Sequence, residues 1–260
     1  MATAVSFNGN DLQTGTINTT SVEHEAGPEL VAQLVALAHA NRSVVPYTSY
    51  PTRHIPITGR ISAASVAACD AALDSFRSYF TAQDANLDVG YNGGTRRYVG
   101  SVITQPTIDR PRGMAYADFS VVVACTIPWG LNTSNTTALN AVGRTASTYS
   151  DGHTFLGTAP QQAPVFTYTL TAVTGGTAAT VSIGNNDTGQ AISITRDWAN
   201  SDVMVIDTSA KVPVVTINGT AVDYTGAFPY FTAGSGTMTY ADTFTTRTFT
   251  ENVVYVARYL

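Results

Sequence analysis

The chain is poor in charge and nearly devoid of lysine. Only 12% of its 260 residues are Asp, Glu, Lys or Arg, about half the share usual in globular domains. Lys211 is the single lysine among 13 basic residues, and the net charge is −5. Gripping nucleic-acid phosphates takes clustered cations, so that class of function is excluded. Cysteine is too scarce for a disulfide framework. Cys69 and Cys125 each lie in an apolar run and read as buried reduced thiols, a disulfide between them being the alternative, with no zinc ligands to join them. Long hydrophobic runs are missing as well. The longest, Val121 to Ile127, is far short of the roughly 18 residues that cross a bilayer. The first residues carry neither a basic segment nor an apolar core, so no secretory signal is expected, and the chain reads as soluble with no membrane partner.

What the chain has instead is threonine, 40 residues of it, a residue suited to the solvent face of pleated strands. Hydrophobic residues make up 44% and the mean hydropathy is +0.05. That is enough apolar surface to fold, which excludes disorder. The length fits one large or two ordinary domains.

Two stretches carry helical periodicity. Residues 28–40 place Leu30, Leu34, Val35, Leu37 and Ala38 on one face behind Pro28, a residue suited to a first helical turn. Residues 62–83 repeat Val66, Cys69, Leu73, Phe76 and Phe80 at three-then-four spacing, with Ser62 or Ser65 as cap. The latter stripe predicts a helix lying on a sheet. The remainder reads as strand. Residues 53–60 are extended, with Pro56 pointing to an edge. A hairpin is expected around Asn92-Gly93-Gly94, and a long strand runs from Tyr116 to Ile127.

Residues 131–157 turn polar and patternless and are expected to be a linker or exposed loop. Beyond them the period-two pattern is clean. Phe166, Tyr168, Leu170 and Ala172 alternate with threonines, and Asn218-Gly219 marks a tight hairpin. The sequence therefore predicts a mainly β protein with one or two helices. An α+β domain would span 1–130, a linker 131–157 and an antiparallel β-sandwich or jelly-roll 158–260.

No constellation of catalytic or ligand-binding residues emerges. His24, His39, His54 and His153 are scattered and lack metal-ligand spacing. Asp187-Thr188-Gly189 spells the aspartic-protease triplet, but Gly184-Asn185-Asn186 stands where an apolar strand is needed, so a turn accounts for it. Asp151-Gly152-His153 has no serine elbow, and Gly234-Ser235-Gly236 lacks the Gly-x-Ser-x-Gly frame. No phosphate-cradling loop is present. Arg96-Arg97 and Arg110-Pro111-Arg112 are expected in surface salt bridges, with a subunit contact as the sharper alternative. No catalytic, cofactor or metal residue is assigned, and an enzyme is not expected.

The order of parts resembles a known family. Phe7-Asn8-Gly9-Asn10-Asp11-Leu12 opens the chain. A strand ending in Arg53-His54-Ile55-Pro56-Ile57-Thr58-Gly59-Arg60-Ile61 leads into one long helix. Leu87 to Tyr91, Arg97-Tyr98 and a strand closing on Cys125-Thr126-Ile127-Pro128 follow. This is similar to the N-terminal belt domain of the distal tail proteins of siphophages, phages with long non-contractile tails. Asp202 to Asp207, Val214 to Gly219 and the run Gly226-Ala227-Phe228-Pro229-Tyr230-Phe231 through Gly234, Gly236 and Met238 resemble the family's galectin-like C-terminal domain. Residues 28–42 depart from the pattern in being more helical than a belt.

The resemblance implies a structural virion protein at the tail tip, made in the host cytoplasm. It implies a homo-hexameric ring between the tail tube protein and the tail-tip hub protein. DNA would pass through its lumen without specific contact, and the sandwiches would offer a platform to receptor-binding or side-fibre proteins. It supplies no catalytic residue and no cofactor. The competing readings are another tail-tube or tail-tip hub protein, and a carbohydrate-binding module displaying Trp198, Tyr224, Phe228, Tyr230 and Phe231.

Overall fold

The computed structural model describes residues 4–36, 43–91 and 93–260. Two domains divide the chain, one reaching to residue 133 and the other spanning 134–259.

The first domain is built on an antiparallel sheet with a helix on one face, beside a separate two-stranded ribbon. In spatial order the sheet's strands are Asn10–Asp11, Val5–Phe7, Ala85–Tyr91, Gly94–Val102, Tyr116–Cys125, Arg53–Ser62 and Ile17–Val22. Strict alternation drives the layering. In Arg53–Ser62 every odd residue is buried, including Ile55, Ile57 and Ile61, while His54, Thr58 and Arg60 face out. The helix Val66–Tyr79 covers the apolar face. Ser65 caps it, its hydroxyl accepting from the Ala68 N–H at 3.2 Å. Cys69, Leu73 and Phe76 point down from it, and the Phe76 ring meets Phe119 of the sheet at 4.5 Å. On the opposite face, cross-strand ion pairs join Arg60 to Asp118 at 2.7 Å and Arg97 to Asp88 at 2.8 Å.

Two expectations for this domain are corrected. Part of the helix expected over 28–40 is strand: Val31–Ala36 pairs antiparallel with Ser43–Ser49, and residues 37–42 lie outside the described residues. Pairing with a second strand overrides the local periodicity, and Leu30 of the expected stripe is exposed. Pro56 sits in an interior strand rather than on an edge. Its carbonyl accepts from Glu23 N–H at 3.1 Å, so its missing N–H faces the side on which the neighbouring strand stops at Val22.

The second domain is a sandwich. A six-stranded sheet has the order Thr136–Arg144, Thr246–Tyr255, Val165–Thr174, Val203–Asp207, Val214–Ile217, Thr220–Ala221. The five-stranded sheet has the order Thr148–Phe155, Gly234–Asp242, Ala179–Asn185, Gln190–Arg196, Thr225–Gly226. Phe166, Tyr168, Leu170, Ile206 and Phe249 from the first sheet pack with Val181, Ile183, Ile192, Ile194 and Tyr240 from the second. The threonines that alternate with them stand on the outer faces. On the five-stranded sheet one row across the strands reads Thr148, Ala241, Ser182, Ser193, Thr225. Hydroxyls meet there at 2.7 Å between Ser182 and Ser193 and between Thr180 and Thr195. No outward position of this sheet's strands carries a charge among the described residues.

The linker expected over 131–157 is also corrected. It holds two strands, Thr136–Arg144 and Thr148–Phe155, so the second domain begins at 134 rather than 158. The apolar alternation is hidden because Tyr149, Asp151, His153 and Phe155, on one face of the later strand, are mostly polar or aromatic.

Candidate interaction surfaces

The residues singled out in the sequence resolve mainly into structural roles. Arg97 forks onto both Asp88 carboxylate oxygens at 2.8 Å. Arg96 lies over the Tyr91 ring, 5.0 Å from its centroid. Arg110 pairs with Asp70 and donates to the Val66 carbonyl at 3.2 Å, tying its loop to the first turn of the helix. The salt-bridge expectation thus holds for Arg97 and Arg110. Arg53, buried at 6% exposure, donates to the carbonyls of His24 and Ala26. Burial pushes the His24 imidazole below its ordinary pKa, against Glu25. His54 is exposed, and His39 lies outside the described residues. Cys69 and Cys125 are free and buried.

Asp187-Thr188-Gly189 is a turn. Gly189 adopts φ +68° and donates to the Asn185 carbonyl at 2.9 Å, while Asp187 accepts from the Thr237 N–H at 3.0 Å. What the sequence concealed is the partner of this turn. His153 and Asp187 both close around Gly236, where an added Cβ would collide with both side chains. His153 is 6% exposed, its ring tilted against Phe155 at 4.5 Å and edge to face with Phe231 at 5.4 Å between centroids. Burial holds its imidazole below the ordinary pKa, and Asp187 opposes that shift.

A second buried polar group was equally hidden. Arg144 donates to Asp151 at 2.7 Å and lies 3.4 Å from Glu251, while the Tyr168 hydroxyl donates to Glu251 at 2.7 Å. Burial pushes the Glu251 carboxyl up, and Tyr168 and Arg144 pull it back. The four residues come from four strands of both sheets. Arg144 and Asp151 are seven residues apart, but Tyr168 and Glu251 join them only through pairing far along the chain, so no local spacing signals the group.

The aromatics considered for sugar stacking are mostly committed elsewhere. Phe231 is fully buried, and Trp198 is 7% exposed with its indole N–H on the Ala179 carbonyl at 2.9 Å. Tyr230 donates to the Pro160 carbonyl at 2.6 Å and its own carbonyl accepts from Asn185. The run from Gly226 to Phe231 therefore serves to lace a loop onto the sandwich. Tyr224 and Phe228 pack edge to face at 4.8 Å, with Tyr224 exposed. Two shallow clefts lie among the described residues. One, of about 480 Å³, is lined by Ile194 to Asp197 and Ala221 to Asp223. The other, of about 420 Å³, lies beside the Arg60–Asp118 pair. Among the described residues no three His, Cys, Asp or Glu side chains cluster as a metal site, and no helix is long and apolar enough to cross a membrane.

The described residues thus form a helix-backed antiparallel sheet followed by a jelly-roll-like sandwich. Residues 157–255, within the second domain, match the model of the siphovirus-type tail component, C-terminal domain. Over its whole length the chain has the distal tail protein fold. It is similar to the crystal structure of SPP1 Dit protein, described as a paradigm of the hub adsorption apparatus in phages infecting Gram-positive bacteria. The identity is 12%, the TM-score 0.67, and 99% of each chain is covered. A chain of the phage P2 baseplate, in its activated conformation with Ca, is similar at 9% identity and a TM-score of 0.50, covering 98% of this chain and 97% of that one. No curated protein matches the chain.

Proposed function

We propose that the chain forms a homo-hexameric ring at the tail tip of a virion, between the tail tube protein and the tail-tip hub protein. The first domain closes the ring around the passage for DNA. The sandwiches stand outside it as platforms for receptor-binding or side-fibre proteins. The observation that carries this reading is the two-domain fold over the full chain, joined to the family match of its second half. The role is one of assembly, with no catalysis and no cofactor.

The physics is compatible with it. A head-to-tail interface closes into a ring when its rotation permits. A net charge of −5 suits a lumen through which DNA slides, since held phosphates are what retard nucleic acid. The alternative of a sugar-binding module loses support because Trp198 and Phe231 are buried. Light scattering combined with negative-stain imaging of the purified chain tests the ring. Six subunits around a central hole are expected, and a monomer at all concentrations would overturn it.

A further inference from the structure

Exposed sheet edges invite pairing, and most proteins blunt them. Three of the sandwich's four edges are blunted here. Thr136–Arg144 is broken by two register shifts, and Thr220–Ala221 and Thr225–Gly226 are two residues long. The fourth edge, Thr148–Phe155, is different. It pairs with Gly234–Asp242 over eight residues without a shift, and it holds no proline and no lysine.

The register fixes which groups are free. Asp242 N–H donates to the Ser147 carbonyl at 2.9 Å, and these residues lie opposite each other in the same ladder. Residues 149, 151, 153 and 155 therefore bond inward to the neighbouring strand. The N–H and C=O groups of Thr148, Ser150, Gly152 and Thr154 face away from it. All four residues are exposed.

We propose that this edge pairs antiparallel with the same strand of a second copy of the chain, about a two-fold axis at Gly152. An antiparallel strand pair keeps residues of one face together, so only a few registers are open to self-pairing. Centring on Asp151 would set two carboxylates opposite each other. Centring on Gly152 sets Asp151 opposite His153 twice, Ser150 opposite Thr154 twice, and two glycines at the axis. The opposed pairs are then an acid with an imidazole and a hydroxyl with a hydroxyl. His153 Nδ1 is buried without a hydrogen-bond partner among the described residues, and the pairing brings a second copy's carboxylate onto its face of the sheet. The three closely spaced pairs add about six backbone hydrogen bonds. Neighbours in a closed six-fold ring are related head to tail, so this contact is additional to the ring and does not depend on it.

Gly152 gives the test, because a Cβ added there meets nothing within 4 Å and its backbone is not left-handed. In the pair, two Gly152 Cα atoms stand about 5.5 Å apart, within disulfide reach. Gly152→Cys is expected to cross-link into a dimer under mild oxidation, while Thr195→Cys, exposed on the same sheet far from the edge, does not. Gly152→Glu places like charges at the axis and is expected to abolish the concentration-dependent pairing of the wild type in sedimentation, leaving any hexamer intact. Equal cross-linking at both positions, or identical sedimentation of wild type and Gly152→Glu, would overturn the proposal. So would a chain that never self-pairs but takes up an added extended peptide at this edge. Absence of six-fold rings with cross-linking intact would remove the ring reading alone.

Discussion

The ring of Phe119 lies across Gly59 of the adjacent strand, its Cζ 2.5 Å from where a Cβ on Gly59 would sit. Gly59 and Phe119 are direct partners in the ladder, and the Asn18 carbonyl crowds the same point at 2.5 Å from the other side. Gly59→Ala must displace backbone as well as the ring. The expected loss is about 1–3 kcal/mol, as for other overpacked cores, read as a lowered urea midpoint. Unchanged stability would mean that the first domain's core is looser than the contact implies.

Arg144 neutralises the buried Glu251 carboxylate and the partly buried Asp151. Arg144→Met leaves Asp151 and Glu251 facing each other, at an expected cost of about 3–5 kcal/mol. The pH dependence supplies the specific signature. With the cation gone, the Glu251 carboxyl moves further up, so the folded variant binds a proton more readily than the unfolded chain. Its stability relative to wild type then improves as pH falls from 7 through the raised pKa. A deficit independent of pH would point to lost packing rather than lost charge.

His153 acts in the opposite sense. Its folded pKa lies below the ordinary histidine value because it is buried, so the unfolded chain takes up protons first. Stability is full above pH 7 and declines as pH falls through about 6.5. It continues to fall until the lowered native pKa is reached. His24 shifts in the same direction. Denaturant midpoints between pH 7.5 and 5 are expected to fall less steeply for His153→Leu than for wild type, and an identical slope would exclude His153 as a contributor.

Both thiols are expected to be silent in the folded chain. Burial pushes Cys125 up to about 11, and thiolate is the reacting form. Iodoacetamide at pH 8 should leave the native protein unmodified, and mass spectrometry should show two additions after unfolding. Native labelling would place a cysteine nearer the surface than the structure does.

How much of this was legible in the sequence depends on where the information lay. The helix Val66–Tyr79 and its cap were readable because stripe and cap are local, and the sandwich strands were readable from apolar residues alternating with threonine. Residues 31–36 were misread because a helical stripe and a paired strand compete there, and the pairing partner lies beyond the local window. Thr148–Phe155 was missed for another reason. Its inward side chains include Asp151 and His153, acceptable inside only because Arg144 and Asp187 approach from elsewhere. The family resemblance survived because it rested on the order of parts, and the edge that distinguishes this sandwich did not show until the ladders were drawn.

The uncharged plane of small hydroxyls on the five-stranded sheet has one further consequence. A joint formed on it contains no ion pair for dissolved salt to screen, and excess salt neither loosens nor tightens such contacts through charge. Particles assembled in one medium and released into another, fresh or briny, would carry that joint across unchanged.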